Sequence, residues 1–167
     1  MNMRVLKRSR KKPKDGDIFV YQVMDHDFGF GRVIDTSETG GPQSILVYLY
    51  NTFLPNKQNI PELSQHRLLI PPLFVMPWPW RDGYFETIQS GVLDPHDLLP
   101  VHCFEKKIFR RMHYVDERDR ELPQRVEPCG FWGIASTGYV DIVVSRALGL
   151  PPHPDTLFTA DDFKKSR

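Results

Sequence analysis

The sequence predicts a mainly β, α+β domain: a curved antiparallel sheet or small, partly open barrel with one C-terminal helix packed on it. Three observations lead there. Short runs of β-branched and aromatic residues recur along the first third of the chain, each followed by turn residues. Fifteen prolines among 167 residues fall mostly between such runs, which fits many short elements better than a helix bundle. Near the C-terminus, one segment carries helical periodicity with both a start and a stop signal.

Asp17–Met24 reads as the first strand, Asp25-His26-Asp27 as a hairpin turn and Phe28–Ile34 as the returning strand. Gly29 and Gly31 in that strand mark a bulge or a close backbone approach. Residues 35–43 hold Ser, Thr, Gly-Gly and Pro and form a loop. Ser44–Tyr50 is apolar nearly throughout, the pattern of a buried strand. Three strands joined by short connections make an antiparallel meander. Further on, residues 61–67 have room for one or two helical turns. Residues 68–76 are apolar but interrupted by Pro71-Pro72, and Trp78-Pro79-Trp80 leads into a turn at Arg81-Asp82-Gly83. Tyr84–Gln89 reads as a strand, Asp94–Asp97 as a loop or helix start, and Lys107–Val115 as a strand ending in a charged turn. Arg125–Ile134 is the last strand, broken by Pro128 and Gly130. The helix is expected over Gly138–Leu148, capped by Thr137, with Val140, Val143, Val144, Ala147 and Leu148 on one face. Gly149 and Pro151-Pro152 stop it.

This length suits one domain, and a chain of about 150 residues hides roughly 70% of its unfolded surface without staples. The expected organisation is a flexible basic arm at 1–14, a single β-rich domain at 15–150 and a tail at 151–167. The net charge of +1 hides an asymmetry, because the first fourteen residues hold seven of the 22 Lys and Arg and no acid. The remaining body carries 15 basic and 21 acidic residues, a net of −6. A like-charged run of this kind is ordinarily a solvated arm, dispensable for folding. The body lacks a second basic patch interleaved with aromatics, so nucleic acid is not the expected partner. No apolar run approaches the ~20 residues of a membrane span, and nothing at the start resembles a signal peptide. The cytoplasm is the expected compartment.

None of the six histidines sits in a paired metal-binding pattern, so the strong zinc and binuclear signatures are missing. Two clusters mix imidazole with carboxylate. One is Asp25-His26-Asp27; the other is Asp94, His96 and Asp97, with His102 nearby. Either can hold a divalent metal through its aspartates or pair a base with an orienting group through its histidine. Turn and cap chemistry accounts for both clusters and is the simpler reading. Cys103 follows His102 directly, and neighbours on a strand point to opposite faces, so it reads as a buried structural cysteine. A bridge to Cys129 stays open. Ser136-Thr137 precedes the helix, where an anion fits, but capping explains it. Trp78, Trp80, Tyr84 and Phe85 form the least ordinary feature, and they either line a substrate or partner site or plug the end of the barrel.

The stretch from Lys12 to Phe19, followed by Phe28–Ile34, resembles the entry motif of the immunity protein 26 / phosphotriesterase HocA family. Trp80, Gly83, Tyr84 and Phe85 fit the same family, as does Leu99–Phe104, and the resemblance spans residues 12 to 150. In size and span the chain is similar to the family's phosphotriesterase member. That resemblance implies a hydrolase of organophosphate triesters as the first functional reading. It carries no catalytic residue across. On chemistry alone, His26, His96 and His102 would be the bases, Arg32 the electrophile for a phosphoryl oxygen, and the tryptophans the pocket wall for a small-molecule phosphotriester. The alternative is an immunity protein that binds and neutralises a bacterial polymorphic toxin. It needs only a complementary surface, and the acidic body suits a basic toxin domain.

Overall fold

The computed structural model describes residues 1–154. Strand β1 (Ile18–Tyr21) pairs antiparallel with β2 (Phe28–Asp35), and β2 with β3 (Ile45–Leu54). This is the expected meander. On β3, Ile45, Val47 and Leu49 enter one core while Leu46, Tyr48 and Tyr50 enter another on the opposite face. A strand covered on both sides has no solvent face to mark with polar residues, which explains the unbroken apolar run. Phe19 lies across from Gly31 and Tyr21 across from Gly29. A Cβ on Gly31 would stand 2.3 Å from the Phe19 ring, and one on Gly29 2.4 Å from that of Tyr21. The glycines give these rings room to lie over the backbone, and the β2–β3 ladder shifts register between them.

Three further strands, β4 (Leu73–Val75), β5 (Glu86–Gln89) and β9 (Ile134–Ala135), complete a six-stranded sheet in the order β5-β1-β2-β3-β4-β9. A second sheet holds β6 (Cys103–Ile108), β7 (Arg111–Val115) and β8 (Cys129–Phe131) in the order β7-β6-β8. Neither sheet closes into a barrel. Two pairings, β4–β9 and β6–β8, are parallel. Cys103 and Cys129 are register partners in the second of these, with Cα atoms 4.6 Å apart, and are joined as a disulfide.

Helix α2 (Thr137–Ala147) covers one face of the large sheet through Val140 and Val144. The small sheet covers the other through Phe104 and Val115, which pack with Phe74, Tyr48 and Tyr50. The result is helix, sheet and sheet in layers. The helix cap is Ser136, whose Oγ accepts from the Tyr139 N–H at 3.1 Å, one residue ahead of the expected Thr137.

Several sequence expectations are corrected. Residues 107–115 are not one strand, because the chain reverses at Phe109-Arg110 between β6 and β7. The expected last strand divides into β8 and β9, which belong to different sheets. Residues 61–67 form no helix. The backbone there runs alongside β3 instead, with the Asn51 N–H donating to the Arg67 carbonyl and the Leu69 N–H to that of Leu49. Trp78–Asp82 is a short helix, α1, closed by Gly83 at φ 93°, where a turn was expected.

The largest difference lies in residues 1–14, which are docked rather than free. Met3 is 3% exposed, in the same core as Trp80 and Val144. It forms a bridge to Val23, and its N–H donates to Asp141 Oδ1 at 2.5 Å. The Asn2 N–H donates to Oδ2 of the same carboxylate at 3.1 Å. Leu6 and Lys7 donate to the Gly83 carbonyl, and Ser9 to that of Trp80. The basic side chains of Lys7, Arg8, Arg10, Lys11 and Lys12 stay in solvent. A count of charges does not see this arrangement, because the segment docks through its backbone and through Met3. The expected tail lies outside the described residues from 155 onward. Among the described residues, no helix is long and apolar enough to cross a membrane.

Candidate functional site

Residues 90–102 link β5 of the large sheet to β6 of the small one, and two polar latches hold this link down. The first is Arg32 on β2. Its Nη1 lies 3.1 Å from Asp97 Oδ1, and its Nη2 donates to the Val92 carbonyl at 3.1 Å. The second is Tyr48 on β3. The Leu99 N–H donates to its oxygen at 3.0 Å, and its hydroxyl stands 2.5 Å from His102 Nε2. His102 Nδ1 faces Glu117 Oε2 at 3.2 Å. A neutral imidazole with its proton on Nδ1 satisfies all of these bonds at once. Arg32 and Tyr48 are register partners across β2 and β3, which sets the two latches side by side as one polar seam.

This seam gathers three of the residues singled out from the sequence: Arg32, Asp97 and His102. What it can do chemically is limited because most of its polar atoms already have partners, the buried Arg32 Nε being the exception. The guanidinium faces a carboxylate and a carbonyl, and both ring nitrogens of His102 have partners. Burial pushes the Tyr48 hydroxyl up to about 12, against the pull of the Leu99 N–H. Burial also raises Tyr50, with the Arg32 cation opposing. Neither phenol is poised to act as a base near neutral pH. The geometry is that of a fastener between sheets. Replacing Tyr48 with Phe removes one hydroxyl and strands both the Leu99 N–H and His102 Nε2. The expected cost is about 1–3 kcal/mol of folding free energy, read by urea titration. A change below about 0.5 kcal/mol, the range of a neutral surface substitution, would show that the latch holds nothing.

The remaining polar candidates stand apart. His26 is exposed at the tip of the first hairpin. Its neighbour Asp25 pairs with Arg4, and Asp27 is exposed. Asp94 and Asp97 form a reciprocal cap around the 3-10 turn Pro95–Asp97. Asp94 Oδ1 accepts from the His96 N–H at 3.0 Å, and Asp97 Oδ2 from the Asp94 N–H at 2.7 Å. Turn chemistry therefore accounts for Asp94, while Asp97 serves both the cap through Oδ2 and the Arg32 latch through Oδ1. Among the described residues, no group of three or more His, Cys, Asp or Glu is arranged to hold a metal ion.

The four aromatic residues divide. Trp80 and Phe85 are core, with Phe19 stacked on Phe85 at 4.4 Å and edge-on to Trp80 at 5.1 Å. Tyr84 is partly buried against the same core. Trp78 is 44% exposed, and the Arg81 guanidinium lies 4.7 Å above its ring. Beside it, Arg10, Lys11, Lys12 and Arg81 line a shallow basic cleft of about 330 Å³. Sequence reasoning missed the tip of the β6–β7 hairpin, where Phe109 is almost wholly in solvent. The available signal was the run Lys106-Lys107-Ile108-Phe109-Arg110-Arg111-Met112, in which cations and large apolar residues alternate without an acid.

No curated protein and no solved structure matches the chain. The family model described as Immunity protein 26 matches residues 14–121. This finding overturns the hydrolase and phosphotriesterase expectation, since the matched family is one of immunity proteins and nothing supports a phosphotriesterase identity. The match spans well over half of the sequence, so the chain belongs to the immunity protein 26 family.

Proposed function

We propose that this protein is an immunity protein that binds a bacterial polymorphic-toxin domain and blocks it. The family match over residues 14–121 carries the reading. The site chemistry agrees with it. Arg32, His102 and Asp97, the groups with the best claim to a reaction centre, are engaged with one another's elements. A neutralising module needs a rigid, complementary surface and no reaction centre. Its partner is another protein rather than a small phosphotriester.

The test is co-expression in a bacterial host with the toxin domain encoded beside its gene. Growth should recover when this chain is induced, and the two proteins should elute together as a stoichiometric complex. Sustained toxicity in the presence of soluble, folded protein, with no complex, would overturn the reading.

A further inference from the structure

Ile108 pairs with Arg111, so Phe109 and Arg110 alone make the β6–β7 reversal. Both have positive φ, 47° and 68°. Two-residue hairpin loops of this kind favour Asn-Gly, because a Cβ is strained at positive φ. Phe and Arg therefore work against the local backbone preference. Folding gains no compensation from the side chain, since Phe109 is 97% exposed. Ile108 and Met112 beside it are 38% and 49% exposed. Strain held at an exposed residue points to a task other than stability.

The charges around this tip are of one sign. From Lys106 to Val115 the hairpin holds Lys106, Lys107, Arg110 and Arg111 and no acid. Lys106 is engaged by Asp119 at 2.7 Å and lies 5.5 Å from the Trp132 ring. Lys107, Arg110 and Arg111 make no ion pair among the described residues. The base of the hairpin is fixed, with Phe104 and Val115 in the core and Cys103 bonded to Cys129. An apolar knob ringed by free cations thus stands on a rigid stem, so little order remains to be imposed on binding. The N-terminal ridge, the segment Arg10–Lys12 lining the basic cleft, is also cationic, but its neighbouring ring, Trp78, is 44% exposed against 97% for Phe109 and has Arg81 over one face.

We infer that the hairpin tip, Lys107–Met112, is the surface that seats the toxin, with Phe109 entering an apolar socket rimmed by carboxylates. The inference rests on the immunity reading above. Charge complementarity selects the partner. Lys107, Arg110 and Arg111 have no acid among them and favour carboxylates on the surface they meet. A toxin whose catalytic cleft works through metal-free carboxylates offers both the socket and the charge. Occupying that cleft would itself neutralise the toxin.

The probe is the same toxin domain, with affinity measured by titration calorimetry. Changing Phe109→Asn together with Arg110→Gly relieves the turn, so the melting temperature should rise by about 2–4 °C for a chain of this size. The same change should weaken binding on the order of 30-fold or more, the loss of a buried hot spot. Arg110→Glu with Arg111→Glu should abolish rescue of growth. Arg10→Glu with Lys11→Glu on the N-terminal ridge should leave affinity within about twofold. If intact protein binds and both hairpin variants bind equally well, the tip is not the docking surface, while the immunity reading survives. Loss of binding in the ridge variant alone would rule out the tip in the same way. If intact protein neutralises nothing, the immunity reading fails and takes this inference with it.

Discussion

Replacing Trp80 with Ala is expected to cost about 3–5 kcal/mol of folding free energy, the range for emptying a large aromatic site in a packed core. Trp80 is 1% exposed. Its ring meets Phe19 and Phe85 edge-on, both with centroids 5.1 Å away, and its Nε1–H donates to Thr87 Oγ1 at 3.1 Å. The substitution opens a cavity beside the two rings of Phe19 and Phe85 and leaves the Thr87 hydroxyl without its donor. It also loosens helix α1, whose Trp80 and Gly83 carbonyls receive the docked N-terminal segment. Trp78 lies two residues away and gives the contrast. Half in solvent and stacked under Arg81, it should cost less than about 1 kcal/mol when changed to Ala, the ordinary worth of an exposed cation–π contact. Urea unfolding of the two variants in parallel separates the roles. Equal losses, in either direction, would mean that the division of this pair into core and surface is wrong.

Deleting residues 1–11 is expected to lower the melting temperature by on the order of 10 °C, from a loss of about 3–5 kcal/mol. Met3 leaves the core, and with it the methionine packing that alone is worth about 2–5 kcal/mol when truncated. Asp141 suffers more. It is 0% exposed, and the two N–H donors of Asn2 and Met3 are its counterparts. Without them a buried carboxylate faces the interior unpaired, a costly state. Asp141→Asn separates the two contributions. The amide oxygen can still accept one of the two bonds, so this variant should lose less than the deletion does. Differential scanning calorimetry reads all three proteins. A truncated chain that melts within about 2 °C of the intact one, under 1 kcal/mol at this size, would show that the docked segment contributes nothing.

Much of the fold was legible because β strands and their punctuation are local. The β1–β2–β3 meander follows from residues that declare themselves within eight or ten positions, and helix α2 from a capped, periodic face. What was not legible depends on distant partners. The segment around Met3 reads as a solvated run of charge until the groups it meets, Asp141 and Gly83, are known. Residues 107–115 read as one strand because the reversal uses Phe109 and Arg110, residues with no turn preference, where Gly or Asn would have marked it. The candidate site shows the same division. Asp94, His96 and Asp97 are adjacent in sequence, but the adjacency expresses a cap. Arg32, Tyr48 and His102 do converge, across three elements, and Tyr48 carried no signal in a strand of apolar residues. The Trp78 and Trp80 pair could not be divided from sequence, since a five-residue helix turns one ring inward and the other out.

Met3 and Asp141 stand 138 residues apart. During synthesis the two halves of this contact are therefore separated in time. At about 5–20 residues per second, the carboxylate emerges roughly 7–30 s after the amide it will accept. The bridge from Met3 to Val23 can form almost at once, but the side of Met3 that meets helix α2 must wait in water until nearly the whole body has been made. Helix α2 thus acts as a clasp thrown last, and the nascent protein passes through a long stage in which the β1–β2–β3 meander can exist while its first residues hang open. A ribosome-bound chain with Asp141 still inside the exit tunnel should remain accessible to protease near Met3, and one carrying a C-terminal linker long enough to bring Leu148 outside the ribosome should not.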